Sequence, residues 1–132
     1  MRFDHVGLFV SDLEIGRQQL GALLPIREWN NPIHDPGMNI MVQFGVDESG
    51  LRYELVAPAG EPNPVSGVLA SGHNILNHVG YRCENFEDAM AKLRAARAMP
   101  LGRPRPAVAF QGARIMFYLT PLKFVVELIE AI

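Results

Sequence analysis

The sequence predicts an α+β protein in which two tandem βαβββ units form a curved mixed sheet around a cleft. A His-Val-Gly tripeptide begins at His5 and again at His78, which lies 73 positions later. A Glu-Leu pair begins at Glu54 and again at Glu127, with the same separation of 73. The residues around each motif alternate or are rich in β-branched and aromatic types, which is typical of strands. Two motifs repeated at one period indicate an internal duplication.

Length and composition are those of an ordinary soluble globular protein. The 132 residues are 48% hydrophobic and 20% charged, with a net charge of −2 and a pI near 6.1. This charge balance does not favour nucleic acid or an anionic membrane as a partner, and no apolar run has the length of a membrane span. The single cysteine, Cys83, excludes an internal disulfide. A cytoplasmic location is therefore expected.

We expect a single domain over residues 1–132, made of two repeat units at about 1–58 and 74–132. Residues 57–64 contain Pro58, Pro62 and Pro64, and such a stretch is a linker rather than a strand or helix. One unit of this size cannot bury both faces of its sheet. Pairing of the two units would close the sheet, with the helices outside and the cleft inside.

The first unit is predicted to begin with a strand and a helix. Residues 2–10 alternate, which places His5 on the less aliphatic face of the strand. A capping-box pattern follows, in which Ser11 accepts from the first-turn amides and Glu14 reaches back. Pro25 predicts the end of this helix.

The remainder of the first unit is predicted to be mostly strands. The segments are a loop at residues 30–37, strands at 38–44 and 51–56, and a short helix at 65–70 after the linker. In the strand at 51–56, alternation directs Arg52, Glu54 and Val56 to one face.

The second unit repeats this plan. Residues 76–83 form the strand that carries His78, Asn85 is the predicted helix cap, and Phe86 and Leu93 are predicted on the core face of the helix. In the next strand we match Ile115-Met116 to Ile40-Met41, which gives a separation of 75 rather than 73. This match predicts that the second unit has two more residues than the first in the loop before this strand, and two fewer in the hairpin turn after it.

Two His and two Glu at repeated positions predict a metal site in the cleft. Each His is expected on the first strand of its unit and each Glu on the last, and rigid strands are good carriers for such a site. The predicted ligands are His5, Glu54, His78 and Glu127. Imidazole and carboxylate donors suit divalent Mn, Fe, Co, Ni or Zn. Four protein ligands on an octahedral ion leave positions for substrate oxygens, as in catalytic sites. His34 and His73 have no repeat partner and are expected to be solvated.

With these residues the chain resembles the vicinal oxygen chelate superfamily (glyoxalase/bleomycin resistance/dioxygenase), and the resemblance covers essentially the whole chain. It is carried by Asp4-His5-Val6-Gly7, Tyr53-Glu54-Leu55-Val56-Ala57-Pro58, Asn77-His78-Val79-Gly80, Gly112-Ala113-Arg114-Ile115 and Val126-Glu127-Leu128. Within the superfamily the chain is most similar to methylmalonyl-CoA epimerases. The connector Asn63-Pro64-Val65-Ser66 is similar to the connector of that family.

The resemblance implies a metal-dependent isomerase or epimerase that abstracts a proton next to a carbonyl of an acyl thioester or oxo-acid. His5, His78 and Glu127 match metal ligands of the family. Glu54 matches the fourth position, which is Gln or Glu among epimerases and Glu in glyoxalase I. Glu127 is expected to be the principal base and Glu54 to return the proton on the other face of the substrate. The sequence does not identify substrate-binding residues.

Other functions stay open. A lactoylglutathione lyase (glyoxalase I)-like enzyme would use the same four ligands, and a resistance-type protein would only bind a small molecule. Epimerases of the family are similar in having a carboxylate on the third strand of the first unit. Here that strand contains Gln43 and no acid, so a second base is required from elsewhere. The resemblance also implies a homodimer.

Overall fold

The computed structural model describes residues 1–132 and contains two compact units. The first unit is His5–Asn77, and the second consists of Met1–Asp4 together with His78–Ile132. Each unit contains both parallel and antiparallel strand pairs and at least one helix. We call the strands of the first unit the first sheet. The predicted α+β class with a mixed sheet is confirmed. The repeat boundaries at about 1–58 and 74–132 concern sequence similarity and stay a prediction.

The two long strands in the middle of the first sheet are formed by residues 40–47 and 52–58. The elements are β1 (Arg2–Phe9), α1 (Leu13–Leu23), β2 (Ile26–Trp29), β3 (Ile33–Asp35), β4 (Ile40–Asp47), β5 (Arg52–Pro58) and α2 (Ser66–Ser71). Strand β1 is parallel to β5, β5 is antiparallel to β4, and both β2 and β3 are antiparallel to β4. Helix α2 lies where the short helix was predicted.

The predicted loop at residues 30–37 is partly wrong, because β3 lies inside it. Pro32 and Pro36 flank the three residues of β3, and proline is a strong loop signal that hid the short strand. The strand forms because it pairs along β4, with Ile33 opposite Val42 and Asp35 opposite Ile40. A short edge strand of this kind tolerates prolines at its ends.

The N-cap of helix α1 lies one residue later than predicted. Asp12, rather than Ser11, is the N-cap, and its Oδ1 accepts a hydrogen bond of 3.0 Å from the backbone N–H of Ile15. Both residue types are good caps, so the choice between neighbours depends on the backbone path out of β1. The helix ends before Pro25, as predicted.

The register of the first sheet separates its two faces. Glu54 lies opposite Gly7 in β1 and opposite Phe44 in β4. Because strand side chains alternate, His5, Phe44 and Glu54 share one face, which we call the ligand face of the first sheet. The other face carries Leu55 and Gln43 and packs toward α1, where Arg17 donates a 3.1 Å hydrogen bond to Gln43.

The second unit is organised in a similar way. Its elements are β6 (Leu76–Cys83), α3 (Phe86–Ala95), β7 (Met99–Pro100), β8 (Arg105–Pro106), a 3₁₀ turn (Val108–Phe110), β9 (Arg114–Leu119) and β10 (Val125–Glu130). Strand β6 is parallel to β10, and β9 is antiparallel to β10, β7 and β8. None of the helices of the chain is long and apolar enough to cross a membrane.

The predicted separation of 75 in the third matched strand is wrong. Phe44 lies opposite Glu54 in the first unit, and Phe117 lies opposite Glu127 in the second. Phe117 is therefore the counterpart of Phe44, and these two residues are again 73 positions apart. The apolar pair Ile115-Met116 resembles Ile40-Met41 in sequence but occupies a different register, because side-chain similarity cannot distinguish shifts along an apolar strand.

The core of the second unit lies between its sheet and α3. Cys83, Phe86, Tyr118 and Leu128 are nearly or fully buried there, and Leu93 packs against them. Asn85 caps α3 by accepting a 3.0 Å hydrogen bond from the backbone N–H of Asp88. The predicted cap and the predicted core face of the helix are thus confirmed.

Candidate metal centre

The first pair of predicted ligands lies on neighbouring strands of the first unit. His5 on β1 and Glu54 on β5 are both buried, and the Nε2 atom of His5 is 3.4 Å from Oε1 of Glu54. The ring of Phe44 on β4 meets the His5 ring edge to face, with 5.9 Å between ring centroids. An aromatic ring in this position restricts the rotation of the imidazole.

The second pair repeats this geometry in the second unit. His78 on β6 and Glu127 on β10 are buried, and the Nε2 atom of His78 is 3.3 Å from Oε1 of Glu127. Phe117 on β9 meets the His78 ring edge to face, with 5.8 Å between ring centroids. In both units the Glu lies opposite a glycine, Gly7 in β1 and Gly80 in β6.

Phe44 and Phe117 are site residues that sequence reasoning missed. Each lies directly opposite the Glu of its unit and packs on the His. A search for every residue pair separated by 73 positions would have found them, since both are Phe. The incorrect separation of 75 in this strand concealed the match.

All four predicted ligands belong to one buried cluster. His5, Glu54, His78 and Glu127 are each at most 4% exposed, and each offers one ligand atom within 4.8 Å of the other three. Ionisable groups are rarely buried at this density unless a bound ion or a set of charge-assisted hydrogen bonds compensates them. The cluster therefore suggests a divalent metal site, and its members are those that the repeat predicted.

The distances within each pair fit joint coordination of one ion. Two donor atoms at about 2.1 Å from a metal ion lie about 3.0 Å apart at a right angle and about 3.4 Å apart at the tetrahedral angle. The pair distances of 3.4 and 3.3 Å agree with this range, and they exceed the roughly 2.7–2.9 Å of a good charge-assisted hydrogen bond. Two imidazoles with two carboxylates suit Mn, Fe, Co, Ni or Zn.

Strand β4, which contains Gln43, supplies no acid to the ligand face. Gln43 points to the opposite face, where it accepts from Arg17 and donates a 2.7 Å hydrogen bond to the carbonyl of Asn30. Its neighbours on the ligand face are apolar: Ile40, Val42 and Phe44. Residues 38–44 contain no carboxylate, as predicted, and Asp47 at the end of β4 lies on the opposite face by alternation. Gln43 likewise does not occupy the position where an acid would act.

Asp35 is a buried carboxylate that the loop prediction concealed. It is 4% exposed and lies opposite Ile40, on the ligand face of the first sheet by register. Its Oδ1 accepts a 3.0 Å hydrogen bond from the backbone N–H of Gly37, and such a bond stabilises the turn between β3 and β4.

The other polar residues that the sequence singled out lie away from the cluster. His34 and His73 are exposed, as expected. Arg114 donates hydrogen bonds of 2.7–3.0 Å to Glu130 and Glu87 on the surface of the second unit. These bonds raise the pKa of Arg114 and, from the same guanidinium, lower the pKa of Glu130. Arg114 therefore has a structural role.

Comparisons with known proteins agree with this fold. The sequence profile of the Glyoxalase/Bleomycin resistance protein/Dioxygenase superfamily matches residues 4–117. An ethylmalonyl-CoA/methylmalonyl-CoA epimerase from Cereibacter sphaeroides is 31% identical over an alignment of 124 positions; the alignment covers 88% of this chain and 86% of the relative.

Solved structures show the same fold at lower sequence identity. The methylmalonyl-CoA epimerase of Mycobacterium tuberculosis is 20% identical with a TM-score of 0.76, covering 99% of this chain and 88% of that one. A variant of the Streptomyces coelicolor methylmalonyl-CoA epimerase, in complex with 2-nitronate-propionyl-CoA, is 19% identical with a TM-score of 0.77 and covers 99% and 97%. With a profile match along most of its length and a relative at 31% identity, the chain belongs to the Glyoxalase/Bleomycin resistance protein/Dioxygenase superfamily.

Proposed function

We propose that this chain is a metal-dependent epimerase of acyl-CoA thioesters, similar in reaction to methylmalonyl-CoA epimerase. The observation that carries the proposal is the buried cluster of two His and two Glu. The relative at 31% identity supports the choice of reaction, because its described substrates are ethylmalonyl-CoA and methylmalonyl-CoA. In these thioesters the exchanging proton is on the carbon between a thioester carbonyl and a carboxylate.

The proposed ligands are His5, Glu54, His78 and Glu127. When bound, the divalent ion would supply Lewis-acid stabilisation of negative charge that develops on the substrate oxygens. Glu127 acts as the principal base and takes the proton from the carbon next to the carbonyl. Its position on β10, between β6 and β9, holds the carboxylate on a rigid framework, which general base catalysis needs.

Epimerisation also requires a group that returns the proton to the opposite face of the substrate. On the ligand face β4 offers only apolar side chains, among them Val42 and Phe44. Glu54 is the remaining carboxylate of the buried cluster, and we assign it this second role. A Glu at this position, in place of an amide, provides a group that can carry a proton.

Proton exchange with solvent deuterium tests the proposal directly. The metal-loaded protein should exchange the C2 proton of methylmalonyl-CoA in D₂O, as followed by NMR. The Glu127→Gln variant should lose at least about a hundredfold in exchange rate, since general acid–base groups contribute about 10²–10⁴ in rate. Metal content must be measured on the same samples. An unchanged exchange rate in Glu127→Gln with metal still bound refutes the role of Glu127.

Two further assays separate the alternatives. Turnover of the hemithioacetal of methylglyoxal and glutathione, without exchange of methylmalonyl-CoA, would identify a lactoylglutathione lyase-like enzyme instead. Tight binding of a small molecule with no turnover of either compound would identify a resistance-type binding protein. A homodimer is part of the proposal, and light scattering during size-exclusion chromatography tests it.

A further inference from the structure

Arg52 lies beside one of the proposed metal ligands on the ligand face of the first sheet. It is two positions before Glu54 in β5, and residues two apart in a strand point to the same face. Because Val6 pairs with Tyr53, Arg52 stands level with His5 on the neighbouring strand. The side chain is partly buried.

Contacts within the first unit connect Arg52 to His5 through Phe44. The guanidinium carbon of Arg52 lies 3.9 Å from the centroid of the Phe44 ring. The same ring meets the His5 ring edge to face at 5.9 Å. A guanidinium stacked on an aromatic ring is held by the cation–π attraction. Its N–H groups lie in its own plane, in a fork that matches a carboxylate.

The second unit has no cation at the matching position. The counterpart of Arg52, 73 positions later, is Val125, which lies opposite His78 in β6. His, Glu and Phe are all repeated between the units, whereas this charge occurs in the first unit only. The framework around the ligands therefore does not require a cation here, and a single positive charge beside a repeated ligand set favours a role in recognising an asymmetric substrate.

We propose that Arg52 binds the carboxylate of the substrate acyl group, so that the chain selects thioesters that carry a carboxylate next to the reacting carbon. This inference rests on the proposed function of the same site. A bidentate pair between guanidinium and carboxylate gives both affinity and orientation. Arg52 is thus a specificity-determining residue and takes no part in the proton transfer.

Binding of two acyl-CoA ligands of similar shape tests the role of Arg52 without turnover. Malonyl-CoA ends in a carboxylate, and 3-methylbutyryl-CoA has two methyl groups in the place of the two oxygens. Calorimetry on the metal-loaded wild type should give a preference for malonyl-CoA of about tenfold to a hundredfold, as a charge-assisted pair provides. In Arg52→Gln this preference should fall below about threefold through weaker binding of malonyl-CoA alone. A preference that survives in Arg52→Gln overturns the proposal.

Two control variants distinguish local recognition from general electrostatics. Arg17→Gln removes the same charge from the opposite face of the first sheet, where Arg17 bonds Gln43, and should keep the full preference for malonyl-CoA. Arg52→Lys keeps the charge but not the planar fork and should restore only part of the preference. If Arg52→Gln instead loses metal, or weakens both ligands equally, Arg52 has a structural role and the proposal fails.

Failure of this inference and failure of the proposed function give different results. A wild type that prefers malonyl-CoA but does not exchange the C2 proton of methylmalonyl-CoA contradicts epimerisation and leaves the role of Arg52 standing. A wild type that exchanges the proton, with a preference unchanged in Arg52→Gln, contradicts only the role of Arg52. A wild type with no preference between the two ligands also refutes the role of Arg52.

Discussion

Replacement of His78 by Ala is the most direct test of the metal centre. His78 is buried on β6, its Nε2 atom lies 3.3 Å from Glu127, and its ring packs against Phe117. The substitution removes one of four proposed donors and leaves the other three in place. Loss of a group that merely orients a ligand already costs about 10–100-fold in metal affinity. Loss of the ligand itself should therefore cost at least about a hundredfold.

The effect on stability follows from this loss of affinity. Metal at about 100 times the dissociation constant stabilises the folded state by about 2.7 kcal/mol, and a hundredfold weaker site reduces this to about 0.4 kcal/mol. For a chain of 132 residues, an unfolding entropy of about 2.1 cal/mol/K per residue converts 1 kcal/mol into roughly 3.6 °C. Added metal should thus raise the Tm of the wild type by about 10 °C and that of His78→Ala by only about 1–2 °C.

The assay combines metal analysis with thermal unfolding. Both proteins are purified, stripped with a chelator, and titrated with Mn²⁺, Co²⁺, Ni²⁺ or Zn²⁺ while Tm is recorded. The increment on metal addition, rather than the absolute Tm, is the informative quantity, because the lost imidazole also leaves a cavity that lowers stability without metal. His34→Ala and His73→Ala are matched controls, since both remove an exposed imidazole. Both should behave like the wild type.

Equal metal content in the wild type and His78→Ala would refute the proposed metal centre. So would an equal rise in Tm in the two proteins at every metal concentration. Either result would mean that the His–Glu pairs are structural hydrogen-bonded pairs. The proposed epimerase function would then lose the observation that carries it.

Two predictions concern the second unit. The hydroxyl of Tyr118 is buried without a hydrogen-bond partner. The Tyr118→Phe variant should therefore leave the free energy of unfolding unchanged or raise it by up to about 1 kcal/mol. Denaturant titration measures this free energy, and a loss of more than about 1 kcal/mol would contradict the prediction. Hydrogen bonds from Arg114 hold the pKa of Glu130 below its usual range. The ionised carboxylate therefore stabilises the fold fully at pH values above the pKa that Glu130 has in the unfolded chain. This stabilisation is lost as the pH falls through the lower pKa that Glu130 has in the folded chain. Arg114→Gln should therefore flatten the decline of stability between about pH 5 and pH 3, and an unchanged decline would refute the coupling.

The internal repeat made the main features predictable from sequence. Motifs at His5 and His78, and at Glu54 and Glu127, identified two matching units and all four members of the buried cluster. A repeated motif is informative because two matches at one separation arise by chance far less often than a single match. The predicted cap Asn85 gave the start of α3 correctly, and Pro25 gave the end of α1 correctly.

Local features without a strong chemical signal were harder to predict. Ser11 and Asp12 are both good caps, and only the backbone path makes Asp12 the cap of α1. The strand β3 is too short for its own periodicity and forms because β4 offers it a pairing partner. Asp35, which lies in this strand, falls within the predicted loop for the same reason.

The amino-acid sequence was sufficient to predict the fold class and the four residues of the buried cluster. The register of the strands, and with it the face on which each side chain lies, is visible only in the folded chain. The fold placed Phe44 and Phe117 against the imidazoles, turned Gln43 toward α1, and placed Arg52 over Phe44. These positions depend on the fold because a shift of one residue along a strand exchanges its two faces. The side chains along an apolar strand are too similar to one another to specify its register before the partner strands are present.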